Sequence, residues 1–140
     1  YLEVAAEGFI MTLAARKRLG AEFVFAAELP GEGLIGMIGA DKSGDAFDVG
    51  YWIGRPYWGN GFASESLKAF LSEAKKLGQL VAGHFTDNPA SGRVLEKAGF
   101  AYTGETKDMF SLARGRSAPV KRMRYEPAER RAPILQDVAA

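Results

Sequence analysis

The sequence predicts one α/β (α+β) domain, a mostly antiparallel central sheet with flanking helices. Three observations carry this: three short period-two segments joined by turn residues, two later helical segments that each open at a marked turn, and a length of 140 residues. That length suits a single core. Hydrophobic residues make up 47% and charged residues 25% of the chain, a balance that favours packing over disorder. Residues 1–126 are read as the domain and 127–140, rich in Ala, Pro and charge, as a polar tail.

The elements follow in order. Leu2, Ala6, Phe9 and Leu13 recur at spacings of three and four, so the spacing predicts a helix over 2–19. Arg16, Lys17 and Arg18 stand in its last turn, and Gly20 supplies the C-cap. In residues 22–29, Phe23, Phe25, Ala27 and Leu29 alternate onto one face of a first strand. Pro30, Gly31 and Gly33 turn the chain into a second strand over 34–40. After a turn at 41–45, Phe47, Val49, Tyr51 and Ile53 share one face of a third strand, with Asp48, Gly50 and Trp52 on the other. Short turns and alternation together indicate an antiparallel meander. A helix is expected over 62–77, with Ala63, Leu67, Phe70, Leu71, Ala74 and Leu77 as its apolar face and Gly78 as its stop. A fourth strand covers 80–85. The next helix has Asn88 as N-cap and Pro89 at its first position, and it stops at Gly99. Residues 100–103 and 120–125 read as strands on either side of a polar loop.

Composition excludes several functions. Eighteen basic and 17 acidic side chains leave a net charge of +1, without the basic excess of a nucleic-acid binder. The chain has no cysteine, which rules out disulfides, thiolate zinc sites and acyl-cysteine chemistry, and fits a cytoplasmic setting. A single histidine, His84, rules out a multi-histidine metal site, so no metal is expected. No apolar run approaches the ~20 residues that span a bilayer, so no membrane partner is expected. The first residue is Tyr1 rather than Met, so the chain is expected to begin within a longer protein.

The chemistry centres on Trp58-Gly59-Asn60-Gly61-Phe62-Ala63, between the third strand and a helix. Two glycines let the backbone turn tightly with no Cβ in the way. No Ser, Thr or Asp precedes the helix to occupy its first N–H groups. Those donors and the positive end of the helix dipole form an anion site suited to a pyrophosphate. A glycine-dependent turn with no ligand is the alternative. Neither a Walker loop (Gly-Lys-Ser/Thr) nor a Rossmann fingerprint in a parallel unit is present.

This stretch resembles the GNAT acetyltransferases, and in particular their ribosomal-protein-alanine N-acetyltransferase branch. Residues 58–63 fit the superfamily signature at Gly61 and Ala63, with Trp58 where Gln or Arg is usual. Tyr57-Trp58-Gly59-Asn60-Gly61 fits the branch. Gly50-Tyr51-Trp52-Ile53 matches the strand before the loop, and Asn88-Pro89-Ala90-Ser91 with Leu95-Glu96-Lys97-Ala98-Gly99-Phe100 matches a second block. The resemblance spans about residues 46–104. It implies a GNAT fold that lacks its usual first strand and helix here.

The resemblance further implies acetyl-coenzyme A as acetyl donor. Its pyrophosphate would lie on backbone N–H groups from Trp58 through Gly59, Asn60, Gly61, Phe62, Ala63 and Ser64, and its pantetheine arm along Trp52–Ile53. An N–H near Ile53 would steady the oxyanion, Gly50 would mark a bulge opening the sheet, and Asn88 would contact the donor or only cap its helix. A tyrosine serves many relatives as general acid where Leu95 stands here. The branch without it has a serine at the place of Ser91, which implies that Ser91 protonates the sulfur. Asp48 is the candidate general base and His84 a further catalytic candidate, each with a purely structural alternative. Tyr51 and Tyr102 read as packing, and Trp52, Tyr57, Trp58 and Phe62 as an aromatic cluster. The expected activity is direct acetyl transfer in a ternary complex to a primary amine, a peptide N-terminus first and a small amine second. A non-catalytic acyl-coenzyme A-binding module is the alternative outside the enzymes. Similar proteins are commonly homodimers.

Overall fold

A computed structural model describes residues 22–127. The helix expected over 2–19, its cap at Gly20 and the tail beyond residue 127 lie outside the described residues. Within them, strands β1 (Glu22–Leu29), β2 (Gly33–Ser43) and β3 (Ala46–Ile53) come first. Helix α1 (Phe62–Ala74), β4 (Gln79–Phe85), helix α2 (Pro89–Ala98), β5 (Phe100–Ser111) and β6 (Arg116–Tyr125) follow. The six strands form one sheet in the order β1-β2-β3-β4-β6-β5.

The meander is as the alternation predicts. β1 pairs antiparallel with β2, and β2 with β3 in continuous register from Ser43↔Ala46 to Gly36↔Ile53. That continuity leaves no bulge at Gly50, which sits directly opposite Gly39. The expectation that a bulge there opens the sheet is therefore corrected; the opening has another cause, described below.

One face of the sheet buries the core. Ile38, Ala40, Val49, Leu80, Ala82 and Met123 from the strands meet Leu67, Phe70, Leu71 and Ala74 of α1 and Leu95 of α2. Both helices pack on this face because their apolar residues recur at helical spacing. Phe70 locks α1 onto β1 through ring contacts with Phe23 and Phe25 at 5.8 and 5.9 Å. The α-helix is shorter than the predicted 62–77: it ends at Ala74, and a 3-10 turn over Lys75–Leu77 leads to Gly78 at φ 131°.

The C-terminal third departs most from expectation. Where a polar loop was expected, β5 and β6 form a long hairpin paired out to Ser111↔Arg116. Three features hide it. Residues 102–108 of β5 are all exposed, so no face carries an apolar signal, and a register shift between Tyr102 and Thr106, with Gly104 at φ 87°, breaks the period of two. Pro119 also argues against a strand. It stands one residue beyond the last β4 partner, Phe85↔Val120, so its missing N–H breaks no rung with β4.

Candidate active site

Among the described residues β3 and β4 are the one parallel pair, and they pair only at Ala46↔Gln79, Phe47↔Leu80 and Asp48↔Val81. Both strands continue, to Ile53 and Phe85. Each stays with its outer neighbour, β3 with β2 and β4 with β6, so the sheet splits beyond Asp48. The N–H of Gly54 donates to the carbonyl of Ile35 at 2.8 Å. Antiparallel ladders alternate, so the backbone groups of Tyr51 and Ile53 point away from β2 and into the split. There the carbonyl of Ile53 accepts the indole N–H of Trp58 at 2.6 Å. The N–H groups of Tyr51 and Ile53 line the same edge.

At the mouth of the split the loop after β3 turns through a 3-10 turn, Arg55–Tyr57, into α1. Gly59 and Gly61 adopt φ of 78° and 76°, and a Cβ on either would meet nothing within 4 Å. These glycines face open space, so their need is conformational. Gly61 caps α1 with no side-chain hydrogen bond. The first intrahelical donor is Glu65, bonded to the Gly61 carbonyl at 3.0 Å, which leaves the N–H groups of Phe62, Ala63 and Ser64 at the helix start. Two details refine the expected donor set. The N–H of Trp58 is spent on Arg55 at 3.2 Å, so the run of donors starts after it. The Asn60 amide folds back onto the carbonyls of Tyr57 and Trp58 at 3.2 Å each, so this side chain shapes the loop.

Asp48 stands where the split begins, on the face opposite the helices. Arg122 of β6 reaches across β4 and donates to Asp48 Oδ2 at 3.0 Å. It can do so because Gly83 lies beneath it: a Cβ at Gly83 would come within 2.9 Å of Arg122 Nη1. Burial raises the Asp48 pKa above the usual carboxylate value, Arg122 opposes the rise, and Asp41, its cross-strand neighbour, adds to it. This face carries a concavity of about 470 Å³ lined by Asp41, Asp48, Gly50, Trp52, Met37 and Val24 among others. The expected aromatic cluster is divided: Trp52 lines this concavity, whereas Phe62 lines a groove beside β1 on the helix side.

The remaining candidates meet at α2. Asn88 accepts the Ser91 N–H at 3.3 Å, which is an N-cap contact. Ser91 Oγ lies 3.0 Å from the hydroxyl of Tyr51, so a residue read as packing joins the site. Leu95 is fully buried in the core. His84 is 6% exposed, the one buried polar residue among those described. Its Nδ1 lies 2.8 Å from the Phe85 carbonyl, which can only accept, so Nδ1 carries the proton. Nε2 lies 2.8 Å from the Tyr102 hydroxyl. Both nitrogens are engaged, and Gly92 packs on the ring: a Cβ there would meet Nε2 at 2.7 Å and the Tyr102 hydroxyl at 2.6 Å. His84 thus ties β4 to β5.

A split sheet with an uncapped glycine-bounded helix start at its mouth agrees with the resemblance in the sequence, and the acetyltransferase (GNAT) domain family matches residues 3–101. The chain belongs to the GNAT acetyltransferase family.

This GNAT chain is 44% identical over 78 residues to the uncharacterized N-acetyltransferase YoaA of Bacillus subtilis, a match covering 51% of this chain and 44% of that protein. It therefore aligns with less than half the length of that relative. The ribosomal-protein-S5-alanine acetyltransferase of Vibrio fischeri is similar in structure, with a TM-score of 0.67 at 18% identity, covering 87% of this chain and 70% of that one. The spermidine N-acetyltransferase of Vibrio cholerae, solved with CoA and spermine, gives a TM-score of 0.69 at 22% identity, covering 84% and 73%. At those identities the likeness is one of fold.

Within the GNAT frame, three side chains make contacts that no motif discloses. Arg122 sits in an ordinary alternating strand, and only the register shows that it reaches Asp48. Tyr51 was visible as a hydroxyl on the helix-facing side of β3, but its partner lies 40 positions away. Arg114, at the tip of the β5–β6 hairpin, forks onto both carboxylate oxygens of Asp87 at 2.6 and 2.5 Å, and stacks over Phe85 at 4.5 Å. It belongs to the stretch expected to be loop.

Proposed function

We propose that this domain transfers an acetyl group from acetyl-coenzyme A to a primary amine, by direct attack in a ternary complex. The observation that carries the proposal is the split between β3 and β4, with the helix start of α1 at its mouth. The N–H groups from Gly59 to Ser64 would hold the donor's pyrophosphate. The edge of β3 that faces the split at Tyr51 and Ile53 would take the pantetheine arm as an added strand, and the Ile53 N–H would stabilise the developing oxyanion. The donor is a substrate, and what the protein supplies is placement of two reactants and a polar, water-poor setting. Asp48 is the proposed base for the attacking ammonium; burial keeps its proton affinity above that of an ordinary carboxylate.

The proposed acceptor is a protein or peptide N-terminus, in keeping with the Tyr57–Gly61 loop and with the ribosomal-protein acetyltransferase among the similar structures. A polyamine is the second reading. The acidic pair Asp41 and Asp48 on the open face favours it, as does the spermidine acetyltransferase among the neighbours.

Calorimetric titration with acetyl-coenzyme A, with desulfo-coenzyme A and NADH as comparisons, tests the donor site. Both coenzyme A ligands should bind and NADH should not. A panel of Ala- and Ser-terminated peptides and spermidine then tests the acceptor. Turnover of peptides alone supports the first reading, turnover of spermidine alone the second. Tight binding without any turnover would leave a coenzyme A-binding module and refute the transferase proposal.

A further inference from the structure

Resting on the acetyltransferase reading, we propose that Tyr51 is a positioning residue that replenishes the proton Ser91 delivers to the departing sulfur, so that the two hydroxyls form a relay.

The geometry is specific. Tyr51 lies on β3 beyond the last β3–β4 pair, Asp48↔Val81, and so on one lip of the split. Ser91 lies in the first turn of α2, the helix that follows the other lip. Their oxygens are 3.0 Å apart, half-buried, and this contact bridges the split on its helix side. Asn88 fixes the Ser91 backbone through the cap at 3.3 Å. The Tyr51 ring packs against the buried core cluster, so the phenol is held rather than free to rotate into solvent.

The chemistry requires a second group. An aliphatic hydroxyl is a far weaker acid than a thiol, so Ser91 alone would give up its proton to a thiolate uphill. A phenol titrates near 10 and a thiol near 8.5 in model peptides, a gap of roughly 1.5 units. Coupled to Ser91, the phenol makes the transfer close to balanced. In the step, the acceptor nitrogen bonds to the acetyl carbon, and the C–S bond breaks with its electron pair on sulfur. Ser91 passes its proton to that sulfur, and Tyr51 passes its own to Ser91 Oγ. The phenolate regains a proton through solvent, equal to the one lost by the amine, so the net transfer is from nitrogen to sulfur. Burial raises the Tyr51 pKa, which keeps the phenol protonated before each turnover but weakens it as a donor; the Ser91 hydrogen bond opposes that rise. Buried Leu95 offers no acid of its own on α2.

The test compares the parent, Tyr51→Phe, Ser91→Ala and the double variant, with acetyl-coenzyme A and whichever panel amine turns over fastest. Tyr51→Phe keeps the ring in the core. It should leave calorimetric acetyl-coenzyme A affinity within twofold and lower kcat about 10²-fold, the lower end of what a positioned acid supplies. The double variant should be no slower than Ser91→Ala. A second readout needs no turnover. In an ultraviolet titration of tyrosinate, Ser91→Ala should move one high-titrating tyrosine further up, and that tyrosine should vanish in Tyr51→Phe. Parent-like kcat in Tyr51→Phe, or losses that multiply in the double variant, would overturn the relay alone. A parent that binds no acetyl-coenzyme A would overturn the acetyltransferase reading, and the relay with it.

Discussion

At Gly61 two demands coincide: a left-handed φ of 76° and an open approach to the first N–H groups of α1. Substitution by Glu separates them. The Cβ meets nothing within 4 Å, so the fold should survive, at a cost of about 1–3 kcal/mol for a non-glycine residue in that region. The carboxylate would compete for the same N–H donors as the pyrophosphate and repel it. Gly61→Glu should therefore weaken calorimetric acetyl-coenzyme A binding by more than tenfold while retaining a cooperative melt; unchanged affinity would refute the loop assignment. Gly83 presents the opposite case, because its need is steric. A Cβ there would meet Val120 Cγ1 at 2.5 Å, Arg122 Nη1 at 2.9 Å and the Lys121 carbonyl at 3.0 Å. Gly83→Ala should destabilise by about 1–3 kcal/mol in chemical denaturation, as overpacked sites do. It should also raise the Asp48 pKa further, since Arg122 is what holds it down. A neutral effect on both would show that Arg122 does not need the groove over β4.

Single elements differ in how much of their role the sequence discloses. The loop from Tyr57 to Gly61 and the start of α2 at Asn88-Pro89 were legible because glycine and proline punctuate the backbone wherever they occur. The β5–β6 hairpin was not, because an exposed edge strand with a bulge has no apolar face to announce it. Its tip nevertheless holds the β4–α2 connection through Arg114 and Asp87. Pairing with Arg114 holds the Asp87 pKa below the usual carboxylate value. A carboxylate with a depressed folded pKa stabilises the fold above its unfolded pKa, about 3.9, and that contribution is lost as pH falls through the folded value. Asp87→Asn should thus lower stability slightly at neutral pH, and the difference from the parent should shrink as the pH drops below about 4. Urea melts across that range read this directly, and a difference that stays constant with pH would mean that the pair is decorative. The pair is exposed, so the effect is that of a surface ion pair.

For the whole molecule, the fold class and the order of elements followed from alternation and helical spacing, but the split did not. A split sheet is a statement about which pairs fail to form, and that is set by partners distant in sequence: β2 holds β3 on one side and β6 holds β4 on the other. Likewise Asp48, Gly59, Gly61 and Ser91 were visible as candidates, whereas the contacts of Arg122 with Asp48 and of Tyr51 with Ser91 needed the fold that brings them together. The split leaves backbone groups of Tyr51 and Ile53 on β3 without a β4 partner. In most sheets such an edge is a liability; here it lies inside the fold, between strands that are each secured on their outer side. A donor that adds itself as a strand would protect those amides directly. Hydrogen exchange with saturating coenzyme A should therefore slow at residues 51–53 and at 62–64, and little over β1 and the outer half of β2. At about 100 times its Kd, a ligand bound only by the folded state adds about 2.7 kcal/mol, so the melting temperature should rise by several degrees in the same sample. Protection spread evenly over the sheet would mean global stabilisation without strand addition. Protection confined to β1 would place the ligand in the groove beside α1 and away from the split.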